Sequence, residues 1–154
     1  MALSPLAARL AGARLLVAVL WAGALWALGY IAAPAVFAAV PSVQAGDVVA
    51  VMLARLAWVS FGCAALLLAL VRMSSDLDPA RRRSLYLLVL AMLACALVMF
   101  VGLQPAMAQI RELAGQGGLK ASPYWTQFAV MHGVSQLFHV IESVLAAWLV
   151  LKSR

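Results

Sequence analysis

Four ionisable side chains stand inside apolar stretches of this chain: Arg55, His132, His139 and Glu142. An arginine at the centre of a membrane helix costs about 2.5–3.5 kcal/mol on insertion scales, so such groups are expected to serve a purpose where they occur. At about 100° per residue, His132, Ser135, Gln136, His139, Glu142 and Ser143 share one stripe of a helix. Glu142 follows His139 by three residues, which lets the two touch across a single turn. Titratable and hydroxyl groups aligned in this way can pass a proton or hold a small polar solute. The plainer alternative is a seam of interhelical hydrogen bonds, each worth about 0.6 kcal/mol. Arg55 lies about seven residues, or ~10 Å, in from one end of its own run, at a depth similar to that of His132. It is expected either to snorkel to the nearby interface or to share a hydrated outer vestibule with His132 and Cys95.

Soft ligands make a second pattern. Met92, Cys95 and Met99 recur at i, i+3 and i+7, and Cys63 shares a face with Met52 and Arg55. With His132 and His139 they form a set of Cys, Met and His donors that suits Cu(I) or another soft cation. Methionine and unpaired cysteine are also ordinary apolar filling, and neither Met-x-x-Met nor Cys-x-x-Cys occurs. The cofactor stays open from sequence: the first expectation is none, and a soft metal is the main alternative. Two cysteines on separate runs build no disulfide framework. His132 and His139 stand ~10 Å apart along one helix and cannot clamp a haem iron from opposite faces. His132 and Ser135 share a turn, but no oxyanion-hole loop accompanies them. No catalytic residue is assigned, and the chain is expected not to be an enzyme.

The elements that must position these groups follow from hydropathy. The chain has 154 residues, 67% hydrophobic and 10% charged, against roughly 45–50% apolar and about 25% charged in soluble domains. This argues against a water-soluble enzyme, a nucleic-acid-binding module and a disordered chain. Apolar runs cover residues 15–40, 48–71, 85–103 and 124–151, each close to or above the ~20 residues that cross the hydrocarbon core. No water is present there to satisfy the backbone, so the runs must be helices. None alternates with the period of a strand. The first run is too long for the h-region of a cleaved signal peptide. The expected fold is an all-α bundle of four membrane helices in one domain, residues 1–154.

Basic residues set the orientation. Arg9, Arg14, Arg72, Arg81, Arg82, Arg83, Lys152 and Arg154 flank the runs on one side, and only Arg111 and Lys120 on the other. The positive-inside rule then puts both termini in the cytoplasm. Ser74-Ser75-Asp76-Leu77-Asp78-Pro79 reads as a short turn into a helix start. Gly115-Gln116-Gly117-Gly118 reads as the flexible centre of an outer loop, with residues 106–114 extending the third helix and Pro105 kinking it. In the first run, Ala18, Ala22, Gly29 and Ala33 form a small-residue strip that reads as packing, and Pro34 bends its outer end. Short connections make the first, second and third helices antiparallel neighbours. The fourth closes the bundle, its polar stripe expected to face the interior, toward helices two and three.

Several short motifs resemble a known family. Trp21-Ala22-Gly23 followed by Ala33-Pro34-Ala35-Val36-Phe37 resembles the Trp-x-Gly and Ala-Pro-x-x-Phe signature of the transmembrane protein 205-like domain family. His132-Gly133-Val134-Ser135 is similar to its His-x-x-Ser element, and Gln104-Pro105-Ala106-Met107 to its pattern at the end of the third span. The resemblance implies a four-helix membrane bundle and attaches no reaction to it. The expected protein is a non-enzymatic, multi-pass bacterial inner-membrane bundle that handles a small solute, proton or soft cation. The rival is a structural or assembly module, and a haem- or quinone-linked redox protein is a remote third. Expected partners are the bilayer and a second copy or another membrane protein, not nucleic acid. Reporter fusions at Arg154 and between residues 115 and 118 should report opposite sides of the membrane. The same side for both would overturn the four-span topology.

Overall fold

The computed structural model describes residues 4–115 and 118–154, and among these it is helical with no strand. Four helices are long and apolar enough to cross a membrane: α1 (Pro5–Ala39), α2 (Ser42–Met73), α3 (Pro79–Ala114) and α4 (Trp125–Ser153). Each extends past its apolar run, because capping and loop residues carry the helical geometry into the polar zone. Ser4 caps α1 by accepting from the amide of Ala7 at 3.2 Å, with Pro5 in the first turn, where a missing N–H costs nothing. Asp78 caps α3 in the same way, accepting from the Arg81 amide at 2.9 Å ahead of Pro79. The turn into a helix start read from residues 74–79 is therefore present. Of the glycine-rich outer loop, residues 116–117 lie outside the described residues. Gly115 and Gly118 flank them at φ of 61° and 78°, a region open to glycine at little steric cost.

Pro34 and Pro105 are not accommodated by simple kinks. Each is preceded by a turn of π-helix, Ala27–Ala32 in α1 and Val98–Leu103 in α3. The amide of Ala33 donates to Leu28 and that of Gln104 to Met99, five residues back in both cases. A proline ring crowds the carbonyl four residues before it, here Tyr30 and Val101, and offers that carbonyl no donor. A widened turn just ahead of the ring relieves both problems. α-Helix then resumes over Ala33–Ala39 and Gln104–Ala114.

The helices form an up-down-up-down ring in which α1 packs on α2, α2 on α3, α3 on α4 and α4 on α1. The fourth helix therefore closes against both helix one and helix three. Helix two sits diagonally across, which corrects the expectation that the polar stripe of α4 faces it. The core gathers in the half of the bundle nearest the basic end. Trp21, Leu25, Leu67, Leu85, Val89, Met92 and Leu149 are almost wholly enclosed there, and Ala18, Ala22, Ala64 and Ala146 bring the backbones close. The buried Trp21 indole donates to Ser60 Oγ at 2.9 Å, linking α1 to α2. From the π-turn of α1 outward burial falls away, and no residue from Trp26 to Gln44 is buried, while the α3 extension keeps Met107 and Ile110 covered.

The basic end is tied together by a polar clasp. Arg14 of α1 is only 1% exposed. Its guanidinium pairs with Asp76 in the α2–α3 turn at 3.0 Å and donates to Ser74 Oγ. Ser74 in turn donates to Leu70 O and accepts, through its carbonyl, from Arg82 of α3 at 2.6 Å. Arg81 donates to the carbonyl of Lys152 at 3.0 Å, bringing in the end of α4. At the opposite end Arg111 donates to Gly46 O at 3.1 Å and pins the α3 extension to the start of α2.

The Arg14 guanidinium holds the Asp76 carboxyl below its ordinary value of 3.8. A carboxyl with a depressed folded-state value stabilises the fold above its unfolded value, and that contribution is lost as pH falls through the folded value. Thermal stability in detergent should therefore hold from neutral pH to about pH 5 and decline below 3.8. Asp76→Asn should cost roughly 3 kcal/mol at neutral pH, because Arg14 is left as an uncompensated buried charge, and should flatten the acid decline. An unchanged melting temperature in Asp76→Asn would show that the clasp does not hold the bundle.

Candidate functional site

The polar stripe of α4 is divided by its packing. Ser135, Glu142 and Ser143 are buried, His139 is half-buried, and His132 and Gln136 are exposed on the outer surface of the bundle. The six residues span too wide an arc for one face, since α4 sits in the angle between α1 and α3 and only part of the stripe fits there. His132 lies against its own helix, its ring parallel to Phe128 at 5.9 Å. Ser135 donates to the His132 carbonyl at 2.7 Å, which satisfies it within the helix. Arg55 is exposed on α2, diagonal to α4. It and His132 both turn away from the interior, so the vestibule expected for them with Cys95 is not assembled.

What remains inside is a cluster at the midpoint of α4, where His139 has equal lengths of helix on either side. The partners of His139 and Ser143 come from the π-turn of α1, while Cys95 of α3 lies within electrostatic reach of Glu142. The His139 imidazole lies over Gly29, where any side-chain carbon would run into Nε2. Tyr30, itself 53% exposed on the bundle surface, packs its ring on His139 at 5.4 Å and 59° and donates its hydroxyl to Ser143 Oγ at 3.0 Å. Glu142 follows one turn on and is 5% exposed. His139 Nε2 and Glu142 Oε1 are both buried with no hydrogen-bond partner. Two ionisable side chains in mid-bundle thus keep unused polar atoms beside a satisfied Tyr–Ser pair. Chemically, that arrangement can accept a proton or hydrogen-bond a small polar molecule.

The soft donors do not converge on this cluster. Cys63 is buried on α2, across the diagonal from His139. On α3, Met92 is fully buried in the core, while Cys95 and Met99 are half-buried. Both cysteines are free thiols. No three of His, Cys, Asp or Glu come together among the described residues. With His132 on the outer surface, the six-residue soft-metal set proposed from sequence is spread over three helices and two environments.

Sequence reasoning passed over Tyr30 and Gly29, which it counted as a helix built for packing. One signal was present: a tyrosine deep in an apolar span must find a partner for its hydroxyl. Arg14 was passed over for a related reason, since a basic residue near a helix start looks like a topology signal. The ring arrangement and apolar lengths define a four-helix integral membrane protein. The family model described as a domain of unknown function (DUF4149) matches residues 16–116, and the chain belongs to that family. The match takes in Gly29 and Tyr30 and ends before α4. No curated protein and no solved structure matches the chain.

Replacing glycine by alanine inside a helix ordinarily gains up to about 1 kcal/mol. Here Gly29→Ala should instead destabilise by about 1–3 kcal/mol, the range for overpacking, because the methyl group displaces the His139 ring. Removing the ring in Gly29→Ala/His139→Ala should restore most of that loss. Melting curves of the two variants in the same detergent test this, and a stabilised Gly29→Ala would mean the contact is not made.

Proposed function

We propose that this protein is a non-enzymatic bacterial inner-membrane bundle that takes up a proton or a small polar solute at the Tyr30–His139–Glu142 cluster. The observation that carries this reading is the pair of buried polar atoms without partners, His139 Nε2 and Glu142 Oε1, at the middle of a membrane helix. Ionisable groups are rare at such depth, and a purely structural contact would be expected to satisfy them. In this reading the cluster needs no metal or other cofactor, and both termini lie in the cytoplasm, as the basic asymmetry supports. The Trp21-Ala22-Gly23 and Ala33-Pro34-Ala35-Val36-Phe37 motifs both fall within the matched segment and support the narrower kinship with transmembrane protein 205-like domains.

A second reading has its own support. The Trp21–Ser60 and Tyr30–Ser143 hydrogen bonds each join two helices, as expected of a module whose polar residues serve helix register. The readings separate in liposomes loaded with a pH-sensitive dye and given a pH gradient. On the first, the wild-type protein dissipates the gradient faster than empty liposomes, and Glu142→Gln returns the rate to that of empty liposomes without lowering the melting temperature. On the second, the wild-type protein adds no flux, and substitutions in the cluster change stability alone.

A further inference from the structure

Two adjoining concavities lie at the basic end, away from the mid-membrane cluster. The larger, about 580 Å³, is a lateral groove between α3 and α4. Its wall on α3 repeats with helical spacing through Ala80, Ser84, Leu87 and Ala91, eleven residues from first to last, or about 16 Å. The part further from the basic end is apolar, formed by Leu87, Leu88, Ala91 and Leu145. The part nearest that end is polar, with Arg83, Ser84 and Lys152 at its rim. Trp148 stands between the two zones and is 56% exposed, as an aromatic at the headgroup boundary would be.

The rim charges are unspent. Among the described residues the one ion pair is Arg14–Asp76, which leaves Arg83 and Lys152 without a carboxylate. The nearby Asp78 is engaged as the cap of α3, and Arg81 is held on the Lys152 carbonyl. The smaller concavity, about 390 Å³, shares Ala80 and Lys152 with the groove and widens the polar end beside Arg81. An apolar trough that opens at a cationic rim on the membrane boundary complements one kind of molecule, an acyl chain bearing an anionic headgroup. A neutral helix from another protein would leave the two charges facing apolar surface. Basic pockets between membrane helices are a known form of lipid recognition. We infer that this groove binds an anionic phospholipid, with an acyl chain along Leu87, Ala91 and Leu145 and the phosphate between Arg83 and Lys152. The inference is independent of the proton or solute reading.

The full-length protein, reconstituted in bilayer discs of equal parts phosphatidylglycerol and phosphatidylcholine, is released into native mass spectrometry and its retained lipids are identified. Phosphatidylglycerol should be enriched in the retained fraction. Arg83→Gln and Lys152→Gln should each reduce the enrichment about fivefold, the factor expected for one basic residue at an anionic surface. Arg9→Gln, a basic residue outside the groove, should leave it unchanged. Ala91→Phe, which fills the trough and spares the rim, should lower the retention of lipid as a whole. Equal retention of the two lipids, or an equal loss in Arg9→Gln, would overturn the inference in favour of general surface attraction. Displacement of the lipid by inorganic phosphate alone would reduce the rim to a plain anion site. Lipid-independent disulfide dimers of Leu87→Cys would give the groove to a second copy.

Discussion

A guanidinium enclosed in protein must have its charge answered, and much of the bundle is arranged around the answer to Arg14. Hydrogen bonds to a charged group contribute more than neutral ones, about 1.5–3 kcal/mol, and leaving the charge unpaired costs more still. The turn between α2 and α3 supplies Asp76 and Ser74, which fixes α1 against α2. The carbonyl of the same serine accepts from Arg82, and its neighbour Arg81 reaches the last turn of α4. One buried cation thereby anchors a network through which all four helices meet at one end. Lipid chains are as apolar as leucine, so apolar contacts alone give helices in a membrane little reason to prefer one register. The clasp provides that reason, with Trp21–Ser60 adding a second fixed point a few turns further in.

Away from the clasp, the two prolines dominate. Both α1 and α3 adopt a π-turn at the same offset before proline. From there outward α1 has no buried residue, whereas α3 buries Met107 and Ile110 beyond its π-turn. The widened turn in α1 also exposes backbone at Gly29, the only kind of residue over which the His139 ring can settle. The mid-membrane cluster is thus a consequence of proline strain relief on one helix and a histidine at the midpoint of another. Tyr30, in the same turn, completes it by reaching Ser143.

The distribution of polar groups along the bundle follows from these two constraints. At the basic end, the buried Arg14 is paired with Asp76, although among the described residues Arg14 Nε and Arg82 Nε keep no partner, and further cations sit at the surface between α3 and α4. At the middle, His139 Nε2 and Glu142 Oε1 are buried with no ion pair beside them among the described residues. On the surface of the bundle, Arg55, His132 and Gln136 are exposed and turned away from the core. A chain with so few charged residues thus keeps three chemically distinct zones apart.

Hydropathy by itself determined the helical class and the number of spans, because long apolar runs in a membrane have no other way to satisfy their backbone, and the acidic residues before Pro79 marked the capped turn. The basic residues marked one end of the bundle, and the glycines of the outer loop marked where the chain turns. The choice of which faces meet was left to the tertiary structure. In a soluble helix an apolar stripe betrays the core, but here the lipid-facing side is equally apolar, so periodicity carries little information about partners. That is why the α4 stripe could be drawn from sequence while its division could not. His139 and Ser143 went inward to α1, Glu142 inward within reach of Cys95 on α3, and His132 and Gln136 outward, once α4 was seated between α1 and α3. The burial of Arg14 and the contacts of Tyr30 were hidden for the same reason: both depend on the neighbour across the interface, and only the packed bundle names that neighbour.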